Sequence, residues 1–260
     1  MKMKSLHLER WGDLEFVKLQ DILELRSVEK AFGAVKVADG LSYSLKQGEA
    51  LGIIGPNGAG KTSMFNLITG TLQPNAGAVY FQGKDITSMS AAKRAQNGIA
   101  RSFQVPQPFS GMSVFENTLV AATSAAGLGM QQAQEHCLSV LEQGGLLDKA
   151  NIKASGLTLL ERKRLELARA LAAKPQLLLL DEIAGGLTEQ ECHSLVATVR
   201  HLHKTGLSII WIEHVVHALM AVVERIVVLD FGQKIADGHP PDVMVDPKVR
   251  EIYMGIEADG

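Results

Sequence analysis

Eight residues, "GPNGAGKT" from Gly55 to Thr62, constrain the fold more than any other stretch. They match the pattern G-x-x-x-x-G-K-[ST], follow the short apolar run "EALGIIG" and open the helical run "KTSMFNLITG", which Gly70 closes. Strand, glycine loop and helix in that order make a phosphate cradle. Glycines let the backbone turn tightly and aim several N–H groups inward. The start of the helix adds partial positive charge. Gly55, Pro56, Asn57, Gly58, Ala59, Gly60 and Ser63 then frame the phosphates, Lys61 reaches the outer ones, and the Thr62 hydroxyl ligates Mg²⁺. An ordinary glycine turn would not need both flanks.

The pattern after this loop supplies the second half of a nucleotide site. "LLLLDE" reads as a buried strand with Asp181 at its C-terminal end, where ligands bind in open α/β sheets. Asp181 is expected to hold Mg²⁺ through water, and Glu182 to orient and deprotonate an attacking water. His214 ends the strand "LSIIWIEH", placed to bond a γ-phosphate. His193, His201, His203, His217 and His239 have no such context and read as surface or packing residues. "DFG" at Asp230 to Gly232 has no kinase catalytic loop beside it and reads as a turn.

Around these motifs, strands and helices alternate, which predicts an α/β fold: a phosphate-loop core with a mostly parallel sheet covered on both faces. "ILELRSVEKAF", "VKVADGLSYSL" and "AGAVYFQGKDI" read as strands of an antiparallel β subdomain, the last turning at Gln82-Gly83. Residues 88–97 read as helical. Residues 106–160 shift to Ala, Gln, Leu and Met at helical spacing and read as an inserted helical subdomain. One domain thus spans 21–260, its core formed by 21–105 and 161–260. Residues 1–20 read as an extension without a clear period.

Composition removes several function classes. Of 260 residues 46% are hydrophobic, enough for a substantial core, and the formal net charge is -2, which argues against a nucleic-acid partner. Cys137 and Cys192 lie far apart without metal-type spacing and read as packed thiols in a reducing compartment. No apolar run is long enough to span a bilayer, and the N-terminus lacks a signal-peptide pattern. The expectation is a soluble chain held at a membrane only by a partner.

From about Ile22 onward the chain resembles the ATP-binding cassette family, the ATPase subunits of ABC transporters. The resemblance implies ATP and Mg²⁺ as ligands. It places Gln104, within "ARSFQVPQPFSGMSVFENTLVAA", near the metal and the attacking water, so that Thr62, Gln104 and Asp181 surround the ion and Lys61, Gln104, Glu182 and His214 serve the reaction. It puts Phe32, in "KAFGAVKVADGLS", under the adenine ring with Val37 beside it. Within the family, "RSFQVPQPFSGMSVFENTLVAA" and "IEHVVHALMAVVERIVVLDFGQKIADGHPPDVMVDPKVREIYMG" are similar to one ATPase of branched-chain amino acid importers, a group that also handles amides and urea. That likeness implies two transmembrane permease subunits, a second and different ATPase or a second copy of this chain, a separate substrate-binding protein, and a peripheral place on the cytoplasmic face of the inner membrane.

The family's signature, usually Leu-Ser-Gly-Gly-Gln, is replaced by Leu157-Thr158-Leu159-Leu160-Glu161. By resemblance, this run faces the γ-phosphate bound to the other subunit. Thr158 keeps the hydroxyl, and Thr158 with Glu161 forms a T-x-x-E capping box. Leu160 adds bulk where glycine permits close approach, and Thr188 stands where Asp or Asn is often found. Two alternatives compete with a transport motor. A soluble cassette protein acting on ribosomes or DNA would have two cassettes or a coiled coil, and this chain has neither. A weakly hydrolysing dimerisation subunit is favoured by the altered signature and opposed by Glu182 and His214.

Overall fold

The computed structural model describes residues 20–254, so the N-terminal extension expected over 1–20 lies outside it except for Gln20. A long hairpin comes first, β1 (Asp21–Phe32) and β2 (Val35–Lys46), then β3 (Ala50–Ile54), the phosphate loop and α1 (Lys61–Thr69). β4 (Ala76–Phe81), β5 (Lys84–Asp85), α2 (Ala91–Gln96) and β6 (Ile99–Arg101) follow. The middle is helical: α3 (Val114–Ser124), α4 (Met130–Gln143), two 3₁₀ turns and α5 (Leu159–Ala172). Then come β7 (Leu177–Asp181), α6 (Glu189–Lys204), β8 (Ser208–Ile212), α7 (Val216–Met220), β9 (Arg225–Asp230) and β10 (Gln233–Gly238). Helices α8 (Pro240–Val245) and α9 (Pro247–Met254) end the described chain.

Two sheets result. One has four antiparallel strands in the order β2-β1-β4-β5, and the other six in the order β10-β9-β3-β8-β7-β6. The five strands from β9 to β6 are parallel, and β10 joins β9 antiparallel. The mostly parallel sheet and the antiparallel subdomain expected from the alternation are both present. The Gln82-Gly83 turn has φ values of 51° and 72°, the left-handed pair that a two-residue hairpin requires.

Why the central strands read as unbroken apolar runs is visible in the packing. Side chains alternate between faces with period two, and both faces are covered. Leu178, Leu180, Ile209, Trp211, Ile226 and Val228 pack into one core with α5 and α6. Their neighbours Leu177, Leu179, Ile210, Ile212, Val227 and Leu229 pack into a second core with α1 and the antiparallel sheet. Ligand-bearing loops are thereby left to the C-terminal edge of the parallel strands.

Three helices start with the same device. Ser113 with Glu116, Thr158 with Glu161, and Thr188 with Glu191 each form a reciprocal capping box. Helices α3, α4 and α5 enclose a small core of Ala122, Ala133, Cys137 and Ala172. Both cysteines are buried free thiols. Arg94 is fully buried and ties α2 to the end of α1 through the carbonyls of Leu67, Ile68, Thr87 and Met89, at 2.7–3.0 Å. Burial lowers its pKa to about 10, partly offset by Asp85.

Candidate functional site

The phosphate loop joins β3 to α1 where neighbouring backbone approaches closely. A Cβ on Gly55 would lie 2.2 Å from the Leu229 carbonyl oxygen, and one on Gly60 would lie 2.3 Å from that of Val37. Gly60 also has φ 97° as the residue that caps α1. Only glycine fits either position. At Gly58, by contrast, a Cβ would meet nothing within 4 Å, so the loop is open there.

Lys61 is 6% exposed, and its Nζ donates to the carbonyls of Gly55 at 2.7 Å and Pro56 at 3.0 Å. Burial lowers the Lys61 pKa, while the charges of Glu182 and Asp181 oppose that shift. Residues Asn57 to Ser63 line a cavity of about 420 Å³, with Val35 and Val37 on one side and Gln104 and Glu182 on the other. This is room for an elongated phosphate ligand, with apolar contact where Val37 was expected. Phe32 stands outside the lining, 55% exposed near the hairpin tip, with the Lys30 ammonium 5.3 Å from its ring centre.

At the end of β7, Asp181 is 3% exposed, and its Oδ2 accepts from Arg101 Nη2 at 2.5 Å. Arg101 also donates to Asn66 Oδ1 at 2.6 Å and lies about 5 Å from the ring centres of Phe65 and Phe103. Burial pushes the Asp181 carboxyl up; Arg101 pulls it down, and Glu182 adds to the rise. Asp181 Oδ1 is buried without a hydrogen-bond partner among the described residues. An orphaned carboxylate oxygen, with the Thr62 hydroxyl and Gln104 in the cavity lining, suits a hard cation that takes oxygen ligands. No group of three or more His, Cys, Asp or Glu among the described residues could hold a metal.

Glu182 is held in a left-handed conformation, φ 46°. For a residue of this size that strain costs about 1–3 kcal/mol and persists only where the surroundings over-determine it. Its N–H donates to Ile212 O at 2.9 Å. Its carboxylate accepts from Gln104 Nε2 at 2.5 Å and faces His214 Nε2 at 3.0 Å. The sequence placed Gln104 near the metal and His214 on a γ-phosphate; the structure brings both onto Glu182. Sequence reasoning missed Arg101 and Asn66, and also Lys163 and Glu213, which touch the Glu182 loop from behind.

The altered signature lies apart from this cluster in the same chain. Thr158 is the N-cap of α5: its Oγ1 accepts from Glu161 N at 3.3 Å, and Glu161 Oε2 accepts from Thr158 N at 2.9 Å. That backbone bond leads the lowering of the Glu161 pKa, so a carboxylate sits on the helix start. Leu160 is half-buried and Leu159 is 41% exposed. Leu159 Cδ2 lies 3.4 Å from where a Cβ on Gly186 would stand. Thr188, the other departure, caps α6.

Comparison with known proteins finds relatives over most of the chain. The ABC transporter family profile matches residues 38–185. The chain is 32% identical to the high-affinity branched-chain amino acid transport ATP-binding protein BraF of Pseudomonas aeruginosa, covering 90% of this chain and 98% of that one. It is 34% identical to the probable branched-chain amino acid transport ATP-binding protein LivG of Methanocaldococcus jannaschii, again over 90% and 98%. It is also 32% identical to the lipopolysaccharide export system ATP-binding protein LptB of Acidithiobacillus ferridurans, over 91% and 98%. The crystal structure of a nucleotide-free ATP-binding cassette from an ABC transporter superposes with a TM-score of 0.83 at 33% identity, covering 91% of this chain and all of that one.

Proposed function

The chain belongs to the ABC transporter family of ATP-binding cassettes, and we propose that it is the ATP-hydrolysing motor of an importer for branched-chain amino acids or related small amino acids and amides. The observation that carries the motor chemistry is the convergence of Gln104 and His214 on Glu182, at the rim of the phosphate-loop cavity. The names of BraF and LivG support the solute class. LptB, at similar identity, shares the cassette with a different cargo, so the solute has to be read by other subunits.

In this reading ATP lies along the phosphate loop, its outer phosphates on the backbone N–H groups and on Lys61, with Val37 beside the nucleoside and Phe32 at its outer edge. Thr62, Gln104 and Asp181 would hold Mg²⁺, which neutralises charge on the phosphates. Glu182 takes the proton of the attacking water, and Gln104 and His214 orient its carboxylate. None of the helices among the described residues is long and apolar enough to cross a membrane. By the likeness to the transport ATP-binding proteins BraF and LivG, the coupling runs to two permease subunits, with the chain on their cytoplasmic face, a substrate-binding protein supplying solute, and a second cassette completing the pair.

That second cassette is a different ATPase or a second copy of this chain, and by the family resemblance the departures at Leu160 and Thr188 fall on the surface presented to it. The start of α5 is capped by its own Glu161 carboxylate and carries Leu160, both unfavourable to an approaching phosphate. Two readings follow: a site built on it is slow, or Thr158 and the helix N-terminus suffice and the run is a tolerated variant. Leu160→Gly is expected to raise ATP hydrolysis by the assembled complex severalfold; an unchanged rate removes the slow-site reading.

The assignment is tested by isolating the chain from detergent-solubilised membranes and measuring uptake of labelled leucine in cells lacking it. Two polytopic chains and a second ATPase should come with it, and uptake should fall. Co-isolation with normal leucine uptake would point to another cargo. A chain that comes alone, or with ribosomes or DNA, would overturn the transport reading.

A further inference from the structure

Two buried, oppositely charged side chains flank the Glu182 loop on the side away from the cavity. Lys163 on α5 is 4% exposed, and its Nζ donates to the Glu182 carbonyl at 3.3 Å. Glu213 at the end of β8 is 1% exposed; its Oε1 accepts from Ala184 N at 2.6 Å and its Oε2 from His214 N at 3.3 Å. Burial disfavours both charges: it lowers the Lys163 pKa and raises that of Glu213. The Glu213 and Glu182 charges act in the other direction on Lys163.

A buried ammonium and a buried carboxylate are costly placements. An apolar pair would fill the same space without that cost. Their polar atoms hold two points of the Glu182 loop, the carbonyl of Glu182 and the N–H of Ala184, and the N–H of His214 on the neighbouring strand end. Glu182 is the residue whose left-handed φ needs support. Its own N–H is fixed by Ile212 O, and Lys163 and Glu213 fix the peptides that follow.

We infer that Lys163 and Glu213 are positioning residues, which clamp the Glu182 loop so that the Glu182 carboxylate meets Gln104 and His214. Lys163 lies five residues beyond Thr158 on the helix that begins with the altered signature, so the clamp also joins the start of α5 to the Glu182 backbone. A displacement of that helix moves the carbonyl that Lys163 holds. The inference rests on the reading of Glu182 as the base.

The test is ATP hydrolysis by the membrane complex isolated through this chain, carrying Lys163→Met, Lys163→Arg or Glu213→Gln, with Glu182→Gln alongside. Misplacing a reacting group by about 1 Å costs on the order of 100-fold, so Lys163→Met should lower kcat about 10- to 100-fold. KM for ATP should stay within about twofold, since the nucleotide contacts are untouched. Lys163→Arg, which keeps the charge and donors, should restore most of kcat, and Glu213→Gln should lower kcat several-fold at the same KM. Wild-type kcat in Lys163→Met, or kcat and KM failing together, overturns the clamp. If thermal unfolding finds Lys163→Met misfolded, Glu213→Gln decides by the same split: a loss in kcat alone supports the clamp, and no loss overturns it. An inert Glu182→Gln beside a fully active Lys163→Met sinks the clamp alone. A fully active Glu182→Gln sinks the base assignment on which it stands.

Discussion

Glu182→Gln should leave ATP binding intact and lower turnover by at least about 100-fold, within the range a positioned general base contributes. The substitution is nearly isosteric. The carboxamide can still accept from Gln104 Nε2 through its oxygen, and the left-handed backbone with its Ile212 and Lys163 bonds is undisturbed. What goes is the group able to take a proton from water. The phosphate-loop contacts of Lys61 and the open Gly58 face lie outside the substitution, so nucleotide affinity has no reason to fall. The loss belongs in kcat, about 3 kcal/mol or more of transition-state stabilisation. Phosphate release at saturating ATP, paired with equilibrium binding of a fluorescent ATP analogue, measures both quantities. Turnover near wild type would remove Glu182 as the base. Lost binding would mean that the carboxylate shapes the nucleotide site itself.

Much of this site was legible because its parts are contiguous in sequence. The phosphate loop is one run of eight residues, and Asp181 and Glu182 follow a four-leucine strand whose burial on both faces the structure explains. The Thr158–Glu161 box was readable from spacing alone, and the same spacing at Ser113–Glu116 and Thr188–Glu191 could have been read too. So could α8 and α9, each opened by a proline, a common first helical residue. The polar partners were not legible. Arg101 and Asp181 are 80 positions apart, and Gln104 and Glu182 78 apart, and no local pattern pairs them. Lys163 left a faint sign. It shares the buried stripe of α5 with Glu166, Leu167 and Ala170, at spacings of three, four and seven, where a charge is out of place unless something holds it.

Arg101 is the partner whose loss should be felt most in stability. Arg101→Met would leave the Asp181 carboxylate buried at 3% exposure without its ion pair and would strand Asn66 Oδ1. Removing one member of a buried pair typically costs 3–5 kcal/mol, and we expect about 3 kcal/mol here because the methionine retains contact with Phe65 and Phe103. The pH dependence identifies the cause. Burial already raises the Asp181 pKa, and Arg101 opposes that rise; without Arg101 the carboxyl moves further up. A carboxyl with a raised folded-state pKa binds its proton more tightly folded than unfolded. Its contribution to stability therefore falls as pH rises from the unfolded carboxylate range through the folded pKa. The deficit of Arg101→Met should be larger at about pH 7.5 than at about pH 5, because the buried acid takes up its proton as pH falls. Adding Asp181→Asn removes the stranded charge and should recover much of the stability at about pH 7.5 without restoring hydrolysis, since the carboxylate proposed to hold Mg²⁺ is gone. Urea unfolding at the two pH values measures all three variants. Equal deficits at both would assign the loss to packing between Phe65 and Phe103, and the ion pair would then carry no part of it.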